Sequence, residues 1–210
     1  MTICEIKRNG AAKRLEVIAS SGKDPGAVIA SAPGSGETEA EVDEETAPVD
    51  IAQLATDRIR AYISEHFTGH DLARLVEGVL RAQGYVTFRS PAGADGGIDV
   101  LAGAGPLGLE APRICVQVKS GDTPVDVKIV RELHGVLTTV NADQGLLVAW
   151  AGLTKAAETE TRNQFFRIRV WTADDVINAV TSVYDRLSDE IQAELPLKRI
   201  WTVVLDDTAE

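Results

Sequence analysis

Three polar residues interrupt two apolar runs. Asp99 lies in GIDVLA (97–102), and Gln117 and Lys119 lie in RICVQVKS (113–120). Side chains alternate across a β-strand. In the second run Ile114, Val116 and Val118 therefore share one face, and Cys115, Gln117 and Lys119 share the other. In the first run Ile98 and Val100 face one way and Asp99 the other. Pairing the two strands brings Asp99, Gln117 and Lys119 together on one sheet face. A lysine and an aspartate there are costly to bury without partners or water. One resolution is a plain Asp99–Lys119 ion pair at the end of the sheet. The other is a reactive site. A carboxylate oxygen, the Gln117 amide oxygen and the strand carbonyl of Val118 suit a hard cation such as Mg²⁺, with Mn²⁺ as a substitute. A lysine beside them orients or activates water, or stabilises developing negative charge. Cation, water and lysine together suit phosphodiester hydrolysis.

The surrounding pattern supplies elements to hold such strands. From Asp50 the chain turns helical, with Ile51, Leu54, Ala55, Ile59 and Ile63 near one face. DLARLVEGVLRAQG (71–84) repeats its apolar residues at Leu72, Leu75, Val76, Val79 and Leu80, and Gly84 ends it. YVTFRS, GIDVLA and RICVQVKS read as three strands. A helix (125–140), a buried strand GLLVAW, a helix (154–166), a strand RIRVWT and a helix from Ala173 follow, with Thr172 and Asp175 as a capping box. This order predicts an α/β fold, a central sheet covered on both faces, and a mixed rather than fully parallel sheet.

The 210 residues allow one ordinary domain with some extra chain. Residues 1–18 read as a short N-terminal segment. Residues 19–50, rich in Gly, Pro, Ser, Ala and acids, read as a flexible acidic linker. The folded domain is expected over 51–186, and 187–210 as a C-terminal docking segment and tail. No apolar run reaches the roughly 20 residues of a membrane span. MTICEIKRNG lacks a signal-peptide core, so the cytoplasm is the default location. Cys4 and Cys115 define neither a disulfide framework nor a zinc site, and Cys115 reads as a core residue. The net charge is −11, of which residues 19–50 hold −7. Such a chain repels DNA at long range, yet a basic edge and a bound metal still permit local binding.

The segments GYVTFRS, GADGGIDVLA and ICVQVKS, preceded by an amphipathic helix, resemble the PD-(D/E)xK nuclease superfamily, and more narrowly its Mrr-type restriction endonuclease domain. The resemblance spans roughly 69–180, with DGGIDV…QVKS its most specific part. It implies a three-layer α/β/α restriction-endonuclease-like fold with a central mixed sheet. It also implies a Mg²⁺-dependent DNA endonuclease of restriction or genome defence, with Asp99, Gln117 and Lys119 in the active site. Gln117 stands where many members of the superfamily carry a second carboxylate. The family's helix acid aligns with Ala73, and Glu77, one turn later, is the candidate replacement as a catalytic metal ligand. Its alternative reading is an ordinary surface glutamate at the solvent edge of the stripe. Asp71 reads as a helix cap.

Arg131, Arg167 and Arg169 are candidate phosphate contacts. For the last two, an edge-strand solubilising role is equally open. DGG (95–97) reads first as a turn, and Trp150 and Trp171 as packing residues. Expected partners are DNA and a separate target-recognition domain or subunit, with a homodimer as a further option and no membrane. Two competing functions stand beside the endonuclease. One is a catalytically silent DNA-binding or protein-interaction module, and the other a structure-selective DNA nuclease.

Overall fold

The computed structural model describes residues 50–91 and 97–201. The N-terminal segment 1–18, the linker up to residue 49, Cys4, Asp95 and residues 202–210 lie outside the described residues.

Helix α1 (Ile51–His66) starts where Asp50 caps it, its carboxylate accepting the Ala52 and Gln53 N–H groups at 2.9 and 3.1 Å. Helix α2 (His70–Ala82) follows after Gly69. Its stripe Leu72, Leu75, Val76, Val79 and Leu80 is buried throughout. Each such side chain contributes roughly 1.5–3 kcal/mol on leaving water. Strands β1 (Val86–Arg89), β2 (Val100–Ala104) and β3 (Glu110–Lys119) come next. Helix α3 (Val127–Thr139), β4 (Gln144–Ala149), α4 (Lys155–Asn163), β5 (Ile168–Trp171) and α5 (Ala173–Val183) alternate after them. A 3₁₀ turn (Tyr184–Arg186) and the short α6 (Asp189–Glu194) end the described chain's regular structure.

The five strands form one mixed sheet in the order β1-β2-β3-β4-β5. The pairs β1/β2 and β2/β3 are antiparallel, and β3/β4 and β4/β5 are parallel. Hairpin-like neighbours give the first kind of pairing, and the crossover helices α3 and α4 give the second. Helices α1, α2 and α5 cover one face, packing on Val100, Ala102, Val116, Val118, Leu146 and Val148. Helices α3 and α4 cover the other, packing on Cys115, Leu147 and Ala149. Asp175 accepts the Thr172 N–H at 2.8 Å, so the expected capping interaction opens α5. Trp150 and Trp171 pack in or against the first core. Among the described residues no helix is long and apolar enough to cross a membrane.

Three expectations change. Ile51 and Leu54 are exposed, because the first turns of α1 extend past the sheet, and only Ile63 of the helix is fully buried. Ile98 packs on the α3/α4 side rather than with Val100, because regular pairing of β2 begins only at Val100. The segment from Leu187 is no appended piece. Leu187, Ile191 and Leu195 are buried in the α1/α2/α5 core, and Gly78 of α2 leaves room for the Ile191 side chain.

Candidate active site

Strand β3 is central in the sheet, and its alternation sorts its residues as the pleat requires. Gln117 and Lys119 are in register with Leu147 and Ala149 of β4, which lie in the α3/α4 cluster. They therefore share that face with Cys115. Asp99 stands one residue before β2. Its N–H donates to the Val116 carbonyl at 2.9 Å, and its own carbonyl accepts the Ser90 N–H at 2.9 Å. Its carboxylate Oδ2 accepts the Val118 N–H at 2.7 Å. Asp99 thus holds β3 on both sides of Gln117, through its backbone at 116 and its side chain at 118. Asp99 and Cys115 also feel each other. Burial, and secondarily the Asp99 charge, push the Cys115 thiol up to about 11.

Gln117 is buried, at 4% exposure, and its Oε1 has no hydrogen-bond partner among the described residues. Gly97 is the reason its amide has room. With φ at +84° it takes a conformation that favours glycine, and a Cβ there would come within 2.6 Å of Gln117 Nε2. The turn expected from DGG and the close approach it permits are therefore one feature. Lys119 is half-buried and lines an open cleft of about 410 Å³ between the end of β3 and the start of α3. The simple Asp99–Lys119 ion pair is not formed among the described residues. Ser120 anchors the next element, its hydroxyl accepting the Gly69 N–H at 2.8 Å just before α2.

The residues present fit a hard divalent cation. A buried amide oxygen without a donor, beside a carboxylate and a strand carbonyl, is an acceptor set that a cation satisfies. Among the described residues no three His, Cys, Asp or Glu side chains cluster as a metal site, so a soft or zinc-type centre has no ligands there.

Glu77 is not brought to this group. Helix α2 lies on the face opposite Gln117 and Lys119. The Glu77 carboxylate is buried, neither at the solvent edge nor at the cation set. Its Oε1 accepts Arg81 at 2.8 Å and the Thr87 hydroxyl at 3.0 Å, and its Oε2 lies 3.7 Å from Arg89 Nε. Asp71 is not the cap of α2 either. Gly69 takes that position, and Asp71 lies 3.7 Å from Arg74 in the first turn.

The three candidate phosphate contacts are spread over the far side of the sheet. Arg131 of α3 is held by Glu160 of α4 at 2.9 and 3.0 Å. Arg169, on the edge strand β5, stacks over the Phe165 ring at 3.7 Å. Arg167 precedes β5, and its carbonyl accepts the Gly145 N–H at 2.7 Å. Asp126 was not singled out, because an aspartate at a helix start reads as a cap. Here its side chain makes no capping bond, and it lines the same cleft as Lys119.

Residues 64–180 match the restriction endonuclease family of the Mrr catalytic type. Among solved structures, the chain resembles the DNA modification-dependent restriction endonuclease AspBHI, with a TM-score of 0.51 and 18% identity. That match covers 87% of this chain and 47% of AspBHI, so the chain spans about half of that protein's length. It also matches the MspJI restriction endonuclease, solved in complex with a 27-mer oligonucleotide, at a TM-score of 0.49 and 18% identity. There the match covers 80% of this chain and 39% of MspJI. A search of curated protein sequences returned no match. The five-stranded mixed sheet between two helical layers is the fold of these endonucleases. The family match takes in the sheet, the Asp99 turn and the Gln117–Lys119 strand, and it covers more than half of the 210 residues; the chain belongs to the Mrr-type restriction endonuclease family.

Proposed function

We propose that this domain hydrolyses DNA phosphodiester bonds with Mg²⁺, or Mn²⁺ in its place, in restriction or genome defence. One observation carries the reading: the buried Gln117 Oε1 has no donor among the described residues. An unsatisfied buried acceptor costs about 1–3 kcal/mol, and a cation removes that cost. Asp99, Gln117 and the Val118 carbonyl would hold the ion. When bound, it polarises a phosphoryl oxygen and lowers the pKa of water.

The chain's own residues do the rest. The Val118 N–H fixes the Asp99 carboxylate at 2.7 Å, so its charge is aimed before any substrate arrives. Gly97 keeps the Gln117 amide from being displaced. Hydrolysis adds the hydroxyl of water to phosphorus, breaks the P–O bond, and delivers the proton to the leaving oxygen. The Lys119 ammonium supplies charge and N–H donors where negative charge develops on phosphate. Burial on the α3/α4 face strengthens both effects by keeping bulk water from screening them.

Nicking of supercoiled plasmid tests this. Cleavage with Mg²⁺ that stops in excess EDTA, and is absent in Asp99→Asn, is the expected result. Undiminished cleavage in EDTA overturns the metal requirement. The panel includes modified and branched DNA, since AspBHI is modification-dependent by its name. Cleavage of branched DNA alone would favour a structure-selective nuclease. No cleavage of any form with either metal would leave a silent DNA-binding or interaction module. That second reading draws on the placement of Glu77, which leaves the group without an acid from α2.

A further inference from the structure

A second cleft, of about 380 Å³, lies on the α2 side of the sheet, between α2, β1 and the segment from the 3₁₀ turn to α6. It is lined by four arginines, Arg74, Arg81, Arg89 and Arg186, against two carboxylates, Glu77 and Glu190. In a chain of net charge −11 this is a local reversal of sign. Its arginines differ in what they do. Arg74 is spent on Glu194, Asp71 and Glu190. Arg81 and Arg89 flank one buried carboxylate, each facing a different Glu77 oxygen. Arg81 is further fixed by its Nε–H donating to the Thr87 hydroxyl at 2.7 Å. Arg186 enters from the opposite wall and makes no ion pair among the described residues.

A buried glutamate that points two arginines into a cleft is a costly device for stability alone, because a buried charge repays its desolvation only with full pairing. It does pre-organise planar cationic donors for an anion, and arginine suits phosphate above other groups. We infer that this cleft binds a phosphate of the DNA backbone, through Arg81, Arg89 and Arg186, with Glu77 as the positioning residue. Its location favours a polymer over a free anion. Arg89 is in register with Val100, the neighbour of Asp99, and Ser90 N–H bonds the Asp99 carbonyl. A strand carrying a charge at every nucleotide presents phosphates to the cleft and to Asp99 together. The inference rests on the proposed DNA substrate and adds where the backbone is held.

The test is duplex binding by the full chain in EDTA, followed by fluorescence anisotropy across a salt series. The double variant Arg89→Ala, Arg186→Ala should bind on the order of tenfold more weakly, with the salt slope reduced by roughly 2, at about 0.9 per phosphate contact. Arg89→Lys, Arg186→Lys should recover the slope, which a mere loss of folding would not allow. Thermal melting of each variant is the folding control. An unchanged affinity and slope in a folded double-alanine variant overturns the cleft while leaving DNA binding intact. Wild-type protein that binds no duplex at low salt overturns both this inference and the proposed substrate. A mononucleotide arm separates the sources of phosphate. Mononucleotide binding lost in the variant, with duplex binding unmoved, would assign the cleft to a free anion and overturn the inference.

Discussion

Asp99 accepts the backbone N–H of Val118 at 2.7 Å, so a side chain stands where a sheet ladder would normally supply a carbonyl. The carboxylate is therefore both a structural acceptor and the charge of the proposed site, and the two roles separate by substitution. Asp99→Asn keeps an acceptor oxygen and removes the charge. It should melt close to wild type and lose cleavage by 10²-fold or more, roughly the cost of losing an electrostatic stabiliser. Asp99→Ala should lose the same activity and also about 1–3 kcal/mol of stability, since it orphans the Val118 N–H. Nicking assays beside thermal melts check both. An active Asp99→Asn would remove Asp99 from the chemistry.

Gly97 makes a sharper test of Gln117 than replacing Gln117 itself. Gly97→Ala introduces a Cβ that meets Gln117 Nε2 at 2.6 Å and strains a φ of +84°. The strain should cost about 1–2 kcal/mol. The displaced amide should cost more in rate, on the order of 10²-fold, because small misplacements in a reacting group are expensive. Cleavage falling only in proportion to the folded fraction would show that the position of Gln117 is immaterial.

Glu77 should behave as a structural and positioning residue, not as a cation ligand. Glu77→Gln leaves Arg81 an acceptor but removes the charge that faces Arg89. At saturating DNA its turnover should stay within a few-fold of wild type, with the same Mg²⁺ dependence. Its stability should fall by roughly 1–2 kcal/mol, a range typical of disturbing a buried polar pair. A shifted metal-activation curve in Glu77→Gln would instead place its carboxylate at the ion.

The acid limb of stability should carry the signature of Asp143. Its side-chain bonds to Arg113, then the Arg113 N–H, hold its carboxyl at about 2 against an ordinary 3.8. The pair joins β3 to the start of β4, with contacts at 2.8, 2.9 and 3.1 Å. A depressed carboxyl contributes stability above its unfolded pKa and loses it as pH falls through the folded one. Asp143→Asn should therefore melt below wild type at neutral pH. The gap should close between about pH 4 and pH 2, as read by melts across that range. A gap independent of pH would show that the charge is not what stabilises the pair.

Much of this was legible because β3 is a long central strand. Its alternation placed Gln117 and Lys119 on one face and Val116 and Val118 on the other, and the burial of both sets follows that division. The α2 stripe was legible for the same reason, as a regular period over four turns. The failures occur where tertiary contacts override a local period. A helical wheel puts Glu77 at the solvent edge, but β1 folds back so that Thr87 and Arg89 cover it. Ile51 and Leu54 fit an apolar stripe, but no element reaches the start of α1 to bury them. Asp126 had a capping signal and no signal for the cleft it lines, which only the meeting of β3 and α3 creates.

The position of β3 inside the sheet has a consequence for how this domain meets its substrate. Its backbone is bonded to β2 on one side and to β4 on the other, and the Trp150 N–H bonds the Lys119 carbonyl at 3.0 Å. Amides over 115–119 should then exchange with deuterium only through whole-domain opening, while the edge strands β1 and β5 open locally and exchange early. Reactive groups in the slowest-exchanging segment cannot adapt their shape to the duplex. The adaptation falls to the DNA, which must bend or unwind to deliver its phosphate, and to the freer edges that receive it.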